Sequence, residues 1–121
     1  MSEIAEHWIG GEWVGSGIVK ESVNPATGAV LGRWADGGED EARAAIGAAR
    51  RAFETSPWSR DRSLRNRALS EMADRFDAYA DELGALVTKE NGKILAQGMF
   101  ESGTAGGTLR HNAAQAPGLL T

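Results

Sequence analysis

The 121-residue chain contains no cysteine. That absence excludes a disulfide framework, a thiolate metal site and a cysteine nucleophile. Histidine is nearly absent too: His7 and His111 are the only two, far apart and without paired-ligand spacing, so both are expected to be structural or solvated. Long hydrophobic runs are missing. No stretch approaches the roughly 20 apolar residues of a membrane span, and the first residues are acidic rather than basic and apolar, so a cytoplasmic protein with no membrane partner is expected. Positive charge is not in excess either. Against 17 acidic side chains stand 13 basic ones, for a net charge of -4, and no basic patch alternates with aromatics, which argues against a nucleic-acid partner.

Bulky apolar residues are also scarce. Leu, Ile, Val and Phe number only 22, while alanine alone makes up about twenty of the hydrophobic residues. Burying a methyl gains far less than burying a Leu or Phe at about 25 cal/mol per Å². The 16 glycines raise the entropy cost of ordering the chain. The length fits a single domain, but its composition describes one that needs help to stay folded.

What is present falls into three textures: an arm with β-strands over 1–37, helices over 38–116 and a tail over 117–121. His7-Trp8-Ile9 and Glu12-Trp13-Val14 flank Gly10-Gly11, which predicts a hairpin. Ile18 to Val23 and Ala29 to Ala35 read as strands around an Asn24-Pro-Ala-Thr-Gly28 turn. From Asp36 the period becomes helical, with Glu39, Asp40 and Glu41 putting negative charge on the helix N-terminus and Ala42, Ala45, Ile46, Ala49 and Phe53 on one face, ending before Ser56-Pro57. A second helix is expected near Ser63, with Leu69, Met72, Ala73, Phe76, Ala80 and Leu83 on its stripe. It breaks at Asp81, which caps a third helix that stops at Asn91-Gly92. A fourth runs from Lys93 to about Ala116, weakened by Gly98, Gly103, Gly106 and Gly107, each costing about 1 kcal/mol against Ala. Small residues at Gly103 and Gly106 are the alternative sign of a close helix contact, and Pro117-Gly118 ends the segment.

No catalytic constellation emerges from these residues. Asp74, Asp77 and Asp81 beside arginines describe a solvated face. Ser102 to Thr108 lacks the Lys-Ser/Thr ending and the preceding strand of a phosphate loop, so a poorly helical linker is the expected form. The four tryptophans, Trp8, Trp13, Trp34 and Trp58, are expected to anchor packing rather than stack a ligand.

The order of features carries more. Ile9-Gly-Gly-Glu-Trp13, Val23-Asn-Pro-Ala-Thr-Gly28, Ala48-Ala-Arg-Arg-Ala-Phe53, Trp58, Met72-Ala-Asp-Arg-Phe76, Asp81-Glu-Leu83 and Glu90-Asn-Gly-Lys93 follow one another with characteristic spacing. The series resembles the amino-terminal part of the NAD(P)-dependent aldehyde dehydrogenase superfamily, with a lean toward betaine-aldehyde-type members. The resemblance implies an α+β fragment, a hairpin and short strands followed by three or four helices, forming the outer part of a coenzyme-binding domain. It also implies aldehyde oxidation with NAD or NADP by a cysteine thiolate and a general-base glutamate. Both residues lie outside the matched motifs, so no catalytic or cofactor-binding residue is assigned here and the chain alone is expected to be inactive. Its expected partner is the remainder of the enzyme, and the alternative is a non-catalytic module that pairs with itself or with relatives.

One ligand site carries over by resemblance: a sodium or potassium ion held by oxygens at positions matching Ser22, Val23 and Glu90, incomplete here and expected to bind weakly. The plainer reading makes Val23 a core residue and Glu90 a solvated carboxylate. The chain departs from the family in having Ile94 where proline is common after Gly-Lys, a glycine-rich 102–108, and His111-Asn112 where aromatics often follow an arginine.

Overall fold

The computed structural model describes residues 4–115. They form two units, divided between Ser56 and Pro57. The expected end of the last helix at Ala116, the Pro117-Gly118 stop and the 117–121 tail lie outside the described residues.

The first unit holds strands β1 (Ile4–Ala5), β2 (His7–Ile9), β3 (Glu12–Val14), β4 (Val19–Val23) and β5 (Val30–Ala35), then helix α1 (Glu39–Thr55). β2 and β3 pair antiparallel with Trp8 opposite Trp13. The turn between them is closed by Gly10 and Gly11, at φ 66° and 95°, where only glycine sits without strain. A second sheet has the order β1-β5-β4, with β1 parallel and β4 antiparallel to β5. The sequence pattern omitted β1, because two residues are too short to show a period. Between β4 and β5 the Asn24 side chain accepts from Ala26 N–H at 2.9 Å, and its carbonyl accepts from Gly28 N–H at 2.8 Å. Gly28 adopts φ 73°, so the Asn-Pro-x-x-Gly turn forms as its residue types dictate. α1 starts where Gly38 N–H donates to Glu41 Oε2 at 2.7 Å. It stops before Pro57, which opens a short 3-10 turn, Pro57–Ser59.

The second unit packs three helices, α2 (Arg62–Ala78), α3 (Ala80–Asn91) and α4 (Leu95–Gln115). Asp61 caps α2 by accepting from Leu64 N–H at 2.9 Å. The break between α2 and α3 falls at Tyr79 (φ -110°, ψ 11°) rather than at Asp81, which lies in the first turn of α3. Tyr79 serves both helices: its N–H donates to Arg75 O and its carbonyl accepts from Leu83 N–H, so the chain changes direction without needing a side-chain cap. Gly92, at φ 68°, closes α3 as the Asn-Gly pair predicts.

α4 is one continuous helix through Ser102–Thr108, so the linker expected there is replaced by helical backbone. Its glycines divide into two kinds. Gly98 and Gly106 are buried where neighbouring helices touch α4. A Cβ on Gly98 would stand 2.6 Å from the Gly84 carbonyl oxygen, and one on Gly106 would overlap Asp77 and lie 3.1 Å from Ala73 O. Gly103 and Gly107 face open space. Close approach therefore offsets the propensity cost at Gly98 and Gly106, while Gly103, which the sequence pattern grouped with Gly106, makes no such contact.

The core is thin. Among the described residues its buried hydrophobic side chains are Ala35, Ala73 and Ala113, and no large side chain is fully buried. The tryptophans do not anchor it. Trp8 and Trp13 are 61% and 65% exposed and meet each other edge to face at 4.9 Å, while Trp34 lies under Lys20. The two rings pair directly across the hairpin, where Trp8 and Trp13 stand opposite each other. Among the described residues, no helix is long and apolar enough to cross a membrane.

Candidate functional site

Ser22 and Val23 end β4, in the first unit. The register slips there: Ser22 pairs with Gly32 and Val23 with Val30, so Leu31 bulges from β5 and the ladder is interrupted. Val23 is 45% exposed, which overturns its plainer reading as a core residue. Glu90, in the second unit, is exposed in the last turn of α3, beside the helix-end carbonyls. Among the described residues, no three acidic or histidine side chains gather as a metal cluster.

The carboxylates with distinct environments are held ionised. In the first unit, the Gly38 N–H pulls the Glu41 carboxyl below its ordinary range, helped by its own backbone N–H and by His7. In the second, the Lys93 ammonium, 2.5 Å away, does the same for Glu101, and Gln97 adds a hydrogen bond. Arg110 reaches from α4 to Asp74 at 2.7 Å and Asp77 at 2.6 Å on α2, and the two carboxylates raise its pKa further. Stabilised anions of this kind cannot serve as general acids near neutrality. Sequence spacing missed the Arg110 fork and the Lys93 pair because both join residues on different helical turns or helices. The Gly38–Glu41 cap was accessible, since an acid at the third helical position is its local signature. His7 remains structural: it faces inward from β2, its Nε2 buried without a hydrogen-bond partner among the described residues.

The conspicuous feature of the surface is apolar. Ile46 and Phe53, on the predicted stripe of α1, are 70% and 55% exposed. In the second unit Met72, Phe76 and Tyr79 of the α2 region are exposed, and Arg75, Phe76, Tyr79 and Leu83 line a shallow cleft of about 250 Å³. Ile94, Leu95 and Phe100 lie open at the start of α4. Burying one such side chain is worth about 1.5–3 kcal/mol. Monomeric proteins seldom leave so many uncovered.

A family model described as "Aldehyde dehydrogenase family" matches residues 13–120. The chain belongs to the aldehyde dehydrogenase family. Among curated members, it is 38% identical over 109 residues to phenylacetaldehyde dehydrogenase of Pseudomonas fluorescens, a match covering 87% of this chain and 22% of that one. It is 36% identical to succinate-semialdehyde dehydrogenase [NADP(+)] 2 of Schizosaccharomyces pombe, covering 93% of this chain and 23% of the relative. Among solved structures, an NAD-dependent aldehyde dehydrogenase from Sinorhizobium meliloti superposes with a TM-score of 0.91 at 31% identity, covering 98% of this chain and 24% of the other. Betaine aldehyde dehydrogenase from Staphylococcus aureus, in complex with NAD+, matches at a TM-score of 0.85 and 28% identity, covering 91% and 23%. The chain thus spans less than a quarter of the length of these relatives, with the fold that this family builds there.

Proposed function

We propose that this chain supplies the outer layer of the coenzyme-binding domain of an aldehyde-oxidising enzyme that uses NAD or NADP, and contributes no reacting group itself. The observation that carries the reading is the set of uncovered apolar helix faces on a chain spanning under a quarter of its relatives. Such faces need a sheet or helix against them. With no cysteine the chain holds no thiolate, so oxidation of an aldehyde requires the remainder of the enzyme. A cytoplasmic location belongs to the same proposal, supported by the cysteine-free, mildly acidic composition.

The ion site inferred for Ser22, Val23 and Glu90 is kept as part of this reading. Carbonyl, hydroxyl and carboxylate oxygens suit a hard monovalent cation. The ion would supply local charge compensation, not chemistry.

The test is direct. Pure chain is mixed with NAD+ or NADP+ and with phenylacetaldehyde or betaine aldehyde, and reduced coenzyme is followed. No turnover is expected, and turnover would overturn the proposal. Co-expression with a family enzyme lacking the matching quarter should restore activity. The second reading, a non-catalytic module that pairs with itself or with full-length relatives, rests on the same uncovered faces. Light scattering after size exclusion separates the two, because self-pairing requires a mass above one chain.

A further inference from the structure

We propose that Asn91 is a site of spontaneous deamidation whose rate is set by opening of the last turn of α3. The chain has four asparagines, and each has a different neighbour: Asn24 precedes proline, Asn66 arginine, Asn112 alanine and Asn91 glycine. Only at Asn91 is the following backbone nitrogen left unshielded by any side chain. Both Asn91 and Gly92 are exposed, at the end of the helix.

The reaction needs nothing the solvent does not supply. The Gly92 nitrogen attacks the side-chain carbonyl carbon of Asn91, forming a C–N bond and a five-membered imide. The bond from that carbon to the side-chain nitrogen breaks, and the nitrogen leaves as ammonia with the amide proton. Water then opens the imide at either carbonyl, giving aspartate or isoaspartate, and no oxidant or reductant takes part.

Two hydrogen bonds oppose the attack. Gly92 N–H donates to Thr88 O at 3.0 Å, and Asn91 Nδ2–H donates to Val87 O at 3.2 Å. Helical backbone at Asn91 also turns the side chain away from the next nitrogen. Both bonds belong to a terminal turn, where local opening is easiest. The product reinforces the opening. A carboxylate at position 91 loses the donor to Val87 O and places a second negative charge beside Glu90 at the negative end of the helix. Isoaspartate also lengthens the backbone within the Gly92–Thr88 ring.

Purified full chain is incubated in mildly alkaline buffer and digested with trypsin, which cuts after Lys89 and Lys93 and releases Glu90–Lys93. Mass and retention time resolve the amide, aspartate and isoaspartate forms. Asn91 should convert faster than Asn66 and Asn112, with isoaspartate among its products. Urea should accelerate it by about five- to thirtyfold, the factor for losing one or both opposing bonds. Hydrogen exchange at the Gly92 amide, measured alongside, should track the conversion rate. Equal rates at Asn91, Asn66 and Asn112 would overturn the site. A rate indifferent to urea, or to the exchange-derived open fraction, would overturn control by the helix end.

Discussion

Replacing Gly98 by alanine should destabilise the second unit although alanine is the better helix former. An added Cβ would lie 2.6 Å from Gly84 O and overlap Thr88 Oγ1, where 3.4 Å or more is ordinary contact. Gly84 O is backbone, so the contact cannot be relieved by a side-chain rotation; α3 and α4 must part by most of an ångström. Overpacking of this kind costs about 1–3 kcal/mol, set against a propensity gain of about 1 kcal/mol. The net loss is up to about 2 kcal/mol from these two terms. Gly103→Ala is the internal control: its Cβ meets nothing within 4 Å, so the same propensity gain should stand alone. The two variants, on one helix and five residues apart, then differ by the overpacking cost alone, about 1–3 kcal/mol, and by roughly 4–24 °C in Tm for a unit of this size. Thermal unfolding followed by circular dichroism, with the parent chain alongside, measures the difference. If Gly98→Ala unfolds at or above the temperature of Gly103→Ala, close helix approach at Gly98 does not hold the unit together.

Two further perturbations test the helix starts. Asp61→Ala removes the acceptor for Leu64 N–H and should lower stability by about 1 kcal/mol in urea titration, while Asp61→Asn should retain most of it. Glu41→Gln tests charge rather than shape: the Glu41 carboxyl lies below its ordinary value of 4.5 chiefly because it accepts from Gly38 N–H. A depressed carboxylate contributes stability that is complete above 4.5 and lost as pH falls through the lower folded value. The parent's advantage over the variant should therefore shrink below that pH; an advantage that stays constant from neutrality into acid would refute the assignment.

Elements whose signals are local were legible from the residues. The hairpin followed from Gly10-Gly11, the Asn24–Gly28 turn from its asparagine and glycine, and the end of α3 from Gly92, because each needs only the φ that one residue permits. The break at Tyr79 was misplaced by two residues, since an acidic residue within a first turn looks like a cap from sequence alone. Among the candidate ion-site residues, Ser22 and Val23 were named from the resemblance, whereas the bulge beside them depends on pairing with a strand and has no local signature. The Arg110 fork joins residues 36 positions apart and could not be read from helical spacing.

Composition alone determined that this chain carries no cysteine chemistry and few bulky apolar residues, and the ordered motifs determined its family. Tertiary structure decided what the small residues are for. In sequence, four glycines in α4 are equivalent penalties; in space, Gly98 and Gly106 sit where another helix passes within reach of their backbone, and Gly103 and Gly107 do not. Propensity belongs to one residue, but close packing belongs to a pair brought together by the fold. The same distinction governs the apolar stripe of α1. Its period was written in the sequence, and only the three-dimensional arrangement revealed that Ile46 and Phe53 remain uncovered.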